Sequence, residues 1–173
     1  HMMSKKRPHH FFGFIFLIFS FYTSFKLINF EGSYYYFLII MLICISTDLG
    51  GYIFGKILKG PKLTKISPKK TYSGMIGGYF LSIVILSSFS SSKYISAKPF
   101  DITSDIIIFI VLISTISQIG DIIISYFKRL SKIKDTGKII PGHGGLLDRI
   151  DGMIFAFPFS YLILKFNIFQ YFS

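Results

Sequence analysis

The stretch DIIIFIVLISTISQIGDIIISYFKRL, Asp105 to Leu130, decides the fold class. Its apolar residues run far longer than a soluble helix needs, and about 20 such residues cross a bilayer. Within it, Ser114, Gln118, Asp121, Ser125 and Lys128 are spaced by four, three, four and three. That spacing puts them on one helical face, against an opposite face of Ile, Phe, Val and Leu. A carboxylate at the centre of a membrane helix costs about 2.5–3.5 kcal/mol on insertion scales, so Asp121 marks a site by default. A polar stripe of this kind faces protein or water rather than lipid.

Four further apolar runs repeat the pattern. The spans read as Phe11–Phe30, Tyr34–Gly55, Gly77–Ser92, Asp105–Leu130 and Ile150–Phe172. Composition agrees: 51% of the 173 residues are hydrophobic and 16% charged, with a mean hydropathy of +0.59. A soluble domain carries about a quarter charged residues. The expectation is one all-α integral membrane domain of five helices. His1-Met2 ahead of Met3 reads as a remnant of tag removal and is set aside. The first run follows Lys5, Lys6 and Arg7 but is too long for a signal peptide and has no small-residue cleavage site, so it is expected to stay as a span. The single cysteine, Cys44, excludes a disulfide within the chain.

The net charge of +11 is a matter of placement. With five spans and the N-terminus inside, 15 of the 19 basic residues fall on the cytoplasmic side, as positive-inside bias requires. Anionic headgroups then explain the charge as well as nucleic acid does.

The cytoplasmic loops hold more than lysines. Asp48 sits in Ser46-Thr47-Asp48-Leu49-Gly50-Gly51-Tyr52, towards the cytoplasmic end of the second span. Ser67-Pro68-Lys69-Lys70-Thr71 precedes Gly74, Gly77 and Gly78. Pro68 restrains Ser67. Ammonium groups and a hydroxyl at a helix start favour a phosphate. The densest stretch is SYFKRLSKIKDTGKIIPGHGGLLDRID, Ser125 to Asp151. Its glycines around His143 allow close backbone approach to a ligand. His143 is balanced between a loop residue and a ligand or base; with no second histidine or cysteine beside it, a zinc site is not expected. Asp148 and Asp151 are three apart, so on a helix they share a face and suit a hard cation such as Mg²⁺, held with substrate phosphates and water. Arg149 points away from that pair, while Lys128, Arg129, Lys134 and Lys138 surround the site with positive charge.

This constellation resembles the phosphatidate cytidylyltransferase (CDP-diacylglycerol synthase) family. Ser125, Lys128, Arg129, Lys134, Asp135, Gly137, Pro141, His143, Gly144, Gly145, Asp148, Arg149 and Asp151 fill the family's spaced pattern without a gap. Ser67-Pro68-Lys69-Lys70-Thr71…Gly77-Gly78, Gln118-Ile119-Gly120-Asp121 and Asp48-x-Gly50-x-Tyr52 resemble its upstream segments. Ser73 departs from the Glu usual there, and the chain is shorter than usual bacterial members.

The resemblance implies an enzyme that transfers the cytidylyl group of CTP to phosphatidic acid, releasing pyrophosphate. It implies Mg²⁺, with room for a second cation, held by Asp121, Asp148 and Asp151. Catalysis would fall to these three with Lys128, Arg129 and Arg149. Substrate would be held by Ser67, Lys69, Lys70, Thr71, Ser125, Lys134, Asp135, His143, Gly144 and Gly145. A homodimer in a bacterial inner membrane, with the site facing the cytoplasm, is expected, and no nucleic-acid partner. The alternatives are a CTP-dependent enzyme acting on an archaeol- or polyprenol-type lipid phosphate, or a degenerate relative. A small transporter or channel leaves the glycine-rich loop and Asp148-Arg149-Ile150-Asp151 unexplained.

Overall fold

The structure is a computed structural model, and it describes residues 8–32, 34–64, 67, 70–90, 103–133 and 150–168. Among the described residues five α-helices follow one another: α1 (Pro8–Ile28), α2 (Tyr35–Leu58), α3 (Tyr72–Ser90), α4 (Ser104–Leu130) and α5 (Met153–Lys165). A 3-10 turn, Phe30–Gly32, leads from α1 towards α2. Among the described residues the only extended pairing is an isolated bridge between Lys62 and Thr71.

By length and composition α2, α3 and α4 can each cross a membrane, while α1 and α5 contribute shorter apolar stretches, Gly13–Ile28 and Met153–Lys165. The surface carries the matching signature. Phe14, Phe21 and Phe25 on α1 and Ile57 on α2 are all more than 60% exposed, an arrangement that water would penalise and lipid accepts.

Two expected boundaries move. The third helix begins at Tyr72 rather than Gly77 because the Thr71 hydroxyl caps it, accepting from the Gly74 N–H at 3.1 Å. The fifth runs only from Met153 to Lys165. Asn167 takes a positive φ of 47°, and the Ile168 N–H returns to the Ile163 carbonyl at 3.2 Å. That left-handed closure ends the helix. At about 1.5 Å per residue its 13 residues span about 20 Å.

Small residues set the tightest packing, between α2 and α3. A Cβ on Gly50 would lie 2.4 Å from the Gly77 carbonyl oxygen, and one on Gly74 would lie 2.6 Å from that of Gly51. The two backbones touch, and only glycine permits it. Gly74, expected ahead of the third span, therefore belongs with Gly77 to a helix seam. Hydroxyls tie in α4: Thr47 Oγ1 donates to Ser114 Oγ at 2.8 Å, and Ser82 and Ser114 hydroxyls meet at 3.1 Å. Tyr79 and Thr115 hydroxyls add a contact at 3.0 Å. Each group is satisfied inside the bundle, as a medium without water demands. Around this seam Ile39, Ile40 and Ile43 of α2 pack with Phe109, Ile110 and Ile113 of α4 and with Ala156 and Leu164 of α5.

Candidate active site

The chain between α2 and α3 folds back on itself. Lys59 ends α2 in the left-handed region, with φ 47°. The Leu63 N–H then donates to the Lys70 carbonyl at 2.8 Å, and the Tyr72 N–H to that of Pro61 at 3.0 Å. The Ser67 N–H donates to Thr64 Oγ1 at 3.1 Å. Lys70 is thus held on a short hairpin rather than on a free loop, and its side chain turns in towards α4. The Lys70 ammonium donates to Asp121 Oδ2 at 2.7 Å and lies 3.5 Å from the Gln118 carbonyl.

This pair sits in a cleft of about 260 Å³ formed by α2, the hairpin, α3 and α4. Asp48, Ser67, Lys70, Thr71, Gln118 and Asp121 line it. Polar groups from α2, the hairpin and α4 therefore converge inside an apolar bundle. Of the α4 stripe expected from its spacing, Gln118 and Asp121 face the cleft. The side chains of Lys70 and Asp121 are 28% and 18% exposed, open enough for a ligand to reach.

A second pair lies beside it. Lys128, two turns further along α4, donates to Asp151 Oδ2. Both side chains are only 10% exposed. Between the two pairs the backbone at Gly152 comes close: a Cβ there would meet Ser117 Oγ at 2.3 Å and Asp121 Oδ1 at 3.0 Å. The start of the last helix thus packs against the α4 turn that carries Asp121.

Of the residues expected in the site, Ser67, Lys70, Thr71 and Asp121 meet in the cleft, and Lys128 with Asp151 forms the neighbouring pair. Ser125 is half-buried on α4 between Asp121 and Lys128, and Arg129 is exposed. Thr71 spends its hydroxyl on capping α3 and on the Ser73 hydroxyl 3.0 Å away. Ser73 in turn accepts from the Gly60 N–H at 3.2 Å, so the residue that stands in for the usual Glu pins the hairpin to α3. Lys69, Lys134, Asp135, His143, Gly144, Gly145, Asp148 and Arg149 lie outside the described residues.

Sequence reasoning singled out Asp48 and Gln118 without giving either a role; the cleft takes in both, with Thr47 and Tyr52. Their signal was present as polar residues at helical spacing in two apolar runs. Which of those faces meet is a property of the packing.

Among the described residues no three ligating side chains gather round one point. The carboxylates in the cleft are Asp48 and Asp121. Two carboxylates with substrate phosphates and water are what Mg²⁺ commonly requires, so the oxygen donor set fits that ion.

Comparison with known proteins adds the family. Residues 2–167 match the family described as "Cytidylyltransferase family". A protein of Rickettsia bellii (strain RML369-C) named phosphatidate cytidylyltransferase is 44% identical over 131 residues, covering 73% of this chain and 57% of its own. One of the same name from Rickettsia felis (strain ATCC VR-1525 / URRWXCal2) is 43% identical over 133 residues, covering 73% and 58%. Another from Staphylococcus aureus (strain COL) is 39% identical over 132 residues, covering 75% and 49%. The chain spans about half the length of these relatives.

Proposed function

This chain belongs to the cytidylyltransferase family, and from that premise we propose that it transfers the cytidylyl group of CTP to phosphatidic acid in the membrane. The observation that carries the reading is the Lys70–Asp121 pair in a cleft inside an apolar bundle. The relatives' shared name supplies the substrates.

The chemistry suits the groups present. A phosphate oxygen of the lipid, anionic near neutral pH, attacks the α-phosphorus of CTP. The new P–O bond forms as the bond to the β-phosphate oxygen breaks, and pyrophosphate departs with that electron pair. No strong base is needed. The task is to bring polyanions together and neutralise charge on the leaving group. An ammonium has three donors, so Lys70 can keep its bond to Asp121 while giving another to a phosphate. Asp121 thereby aims the cation into the cleft. Arg129, exposed one residue beyond Lys128, is free to meet phosphate arriving from the aqueous side. Mg²⁺, when bound, supplies further neutralisation of the triphosphate. Asp48 and Asp121, the carboxylates of the cleft, are the residues that would hold it, with Asp148 and Asp151 added by the resemblance.

The basic hairpin and the end of α4 lie on the cytoplasmic side in this reading, where CTP is available. The resemblance also favours a homodimer, which a mass measurement in a lipid-like environment checks. The test of function is conversion of phosphatidic acid by the purified full chain with CTP and Mg²⁺. Formation of CDP-diacylglycerol that chelation abolishes is expected; CTP binding without product would sink the reading. An archaeol- or polyprenol-type phosphate consumed faster than phosphatidic acid would redirect it to another lipid.

A further inference from the structure

A second cavity, of about 370 Å³, lies among α1, α2 and the start of the last helix. Phe21 and Phe25 of α1, Phe37 and Met41 of α2, Ile150 and Phe157 form its walls. Phe37 and Phe157 stack there with ring centroids 5.1 Å apart. Ser24 also borders it, but its hydroxyl donates back to the Ser20 carbonyl at 2.8 Å. The cavity therefore offers a ligand almost nothing but hydrocarbon.

One feature joins it to the charged cleft and a second to the ion pair beside that cleft. Phe37, Met41, Asp48 and Tyr52 are spaced by four, seven and four, so one stripe of α2 lines first the cavity and then the cleft. Met41 and Asp48 are seven residues apart, about 10 Å along the helix. Independently, Ile150 in the cavity wall is followed directly by Asp151, the partner of Lys128. An apolar space that ends beside charged groups on two separate elements matches an amphiphile with a phosphate at one end.

We infer that this cavity takes an acyl chain of the lipid phosphate whose head group lies in the cleft. The inference rests on the reading of the substrate as a lipid phosphate, and it assigns chain recognition to α1, α2 and the start of α5. Burial of successive methylenes along Met41 and the phenyl rings supplies the affinity.

The decisive experiment does not depend on turnover. The full chain is reconstituted in vesicles with phosphatidic acid carrying a diazirine in mid-chain, irradiated, and mapped by peptide. Label is expected on residues 20–28, 37–41 and 150–157, and it falls several-fold in Met41→Trp and in Ser24→Trp, which fill the cavity from opposite walls. Label spread evenly along outward residues such as Phe14 and Ile18 of the wild-type chain overturns the inference, whether or not the variants fold. In the transfer assay, Met41→Trp raises the KM for long-chain phosphatidic acid about tenfold, equivalent to losing burial of about two methylenes. The KM for CTP and the rate with a dihexanoyl substrate stay unchanged. An unchanged long-chain KM overturns the inference as well. Labelled cavity peptides in a chain that transfers nothing would leave the cavity standing and remove the proposed function.

Discussion

The two lysine–carboxylate pairs on α4 use the same chemistry in different surroundings. Lys70–Asp121 joins the hairpin to α4 and opens into the cleft. Lys128–Asp151 joins the end of α4 to the start of the last helix and is nearly sealed. An accessible pair gains little from its own attraction, because water screens it and competes for it. Its value lies in holding a cation where an anionic substrate arrives. A sealed pair cannot lose one partner without stranding the other's charge away from water. The first is placed for exchange with ligands, the second for holding two helices together.

Truncating each lysine in turn tests that difference. Lys128→Ala should lower unfolding stability by about 3–5 kcal/mol, read as a fall in thermal transition in detergent. Lys70→Ala should cost within about 1 kcal/mol. Equal losses would erase the distinction between the pairs. Activity should sharpen it from the other side: Asp121→Asn keeps near-normal stability but lowers turnover about 10²–10³-fold, the range seen when one preorganised electrostatic group is removed. Near-normal turnover in that variant would take Asp121 out of the reaction.

Beside the Lys70–Asp121 pair lies the α2–α3 glycine seam, which sets where the hairpin can carry Lys70. Gly50→Ala drives a methyl into the Gly77 carbonyl and should cost about 1–3 kcal/mol. Gly51→Ala meets only ordinary contact, 3.7 Å from the Gly74 oxygen, and should change stability by less than about 0.5 kcal/mol. Parallel denaturation of the two variants compares them, and equal effects would contradict the close approach. A smaller effect than at Gly50 is expected at the cap. Thr71→Ala should cost about 1 kcal/mol by freeing the Gly74 N–H, with hydrogen exchange rising in the first turn of α3 and not at α4.

Much of this was legible in the chain. The length of the apolar runs decides an all-α membrane fold, because backbone groups in lipid can be satisfied only within a helix or a closed barrel. Helical periodicity alone placed Asp121, Gln118 and Lys128 on one face of α4. Other features were not legible. Gly74 fell ahead of the expected third span and Gly77 and Gly78 at its start, and none was read as a contact with α2, since sequence cannot distinguish a glycine needed for a turn from one needed for a backbone contact. The shortness of the last helix depended on a left-handed closure at Asn167 inside a run that stays apolar beyond it.

Sequence by itself determined the medium, the helical class and the residue types of the candidate site, because hydrophobicity, periodicity and charge are local properties. Tertiary structure decided the partners: that Lys70 reaches across 51 positions to Asp121, that Lys128 closes on Asp151, and that Asp48 enters the same cleft. Those outcomes depend on how closely two glycine-bearing backbones approach, which only the packed helices specify.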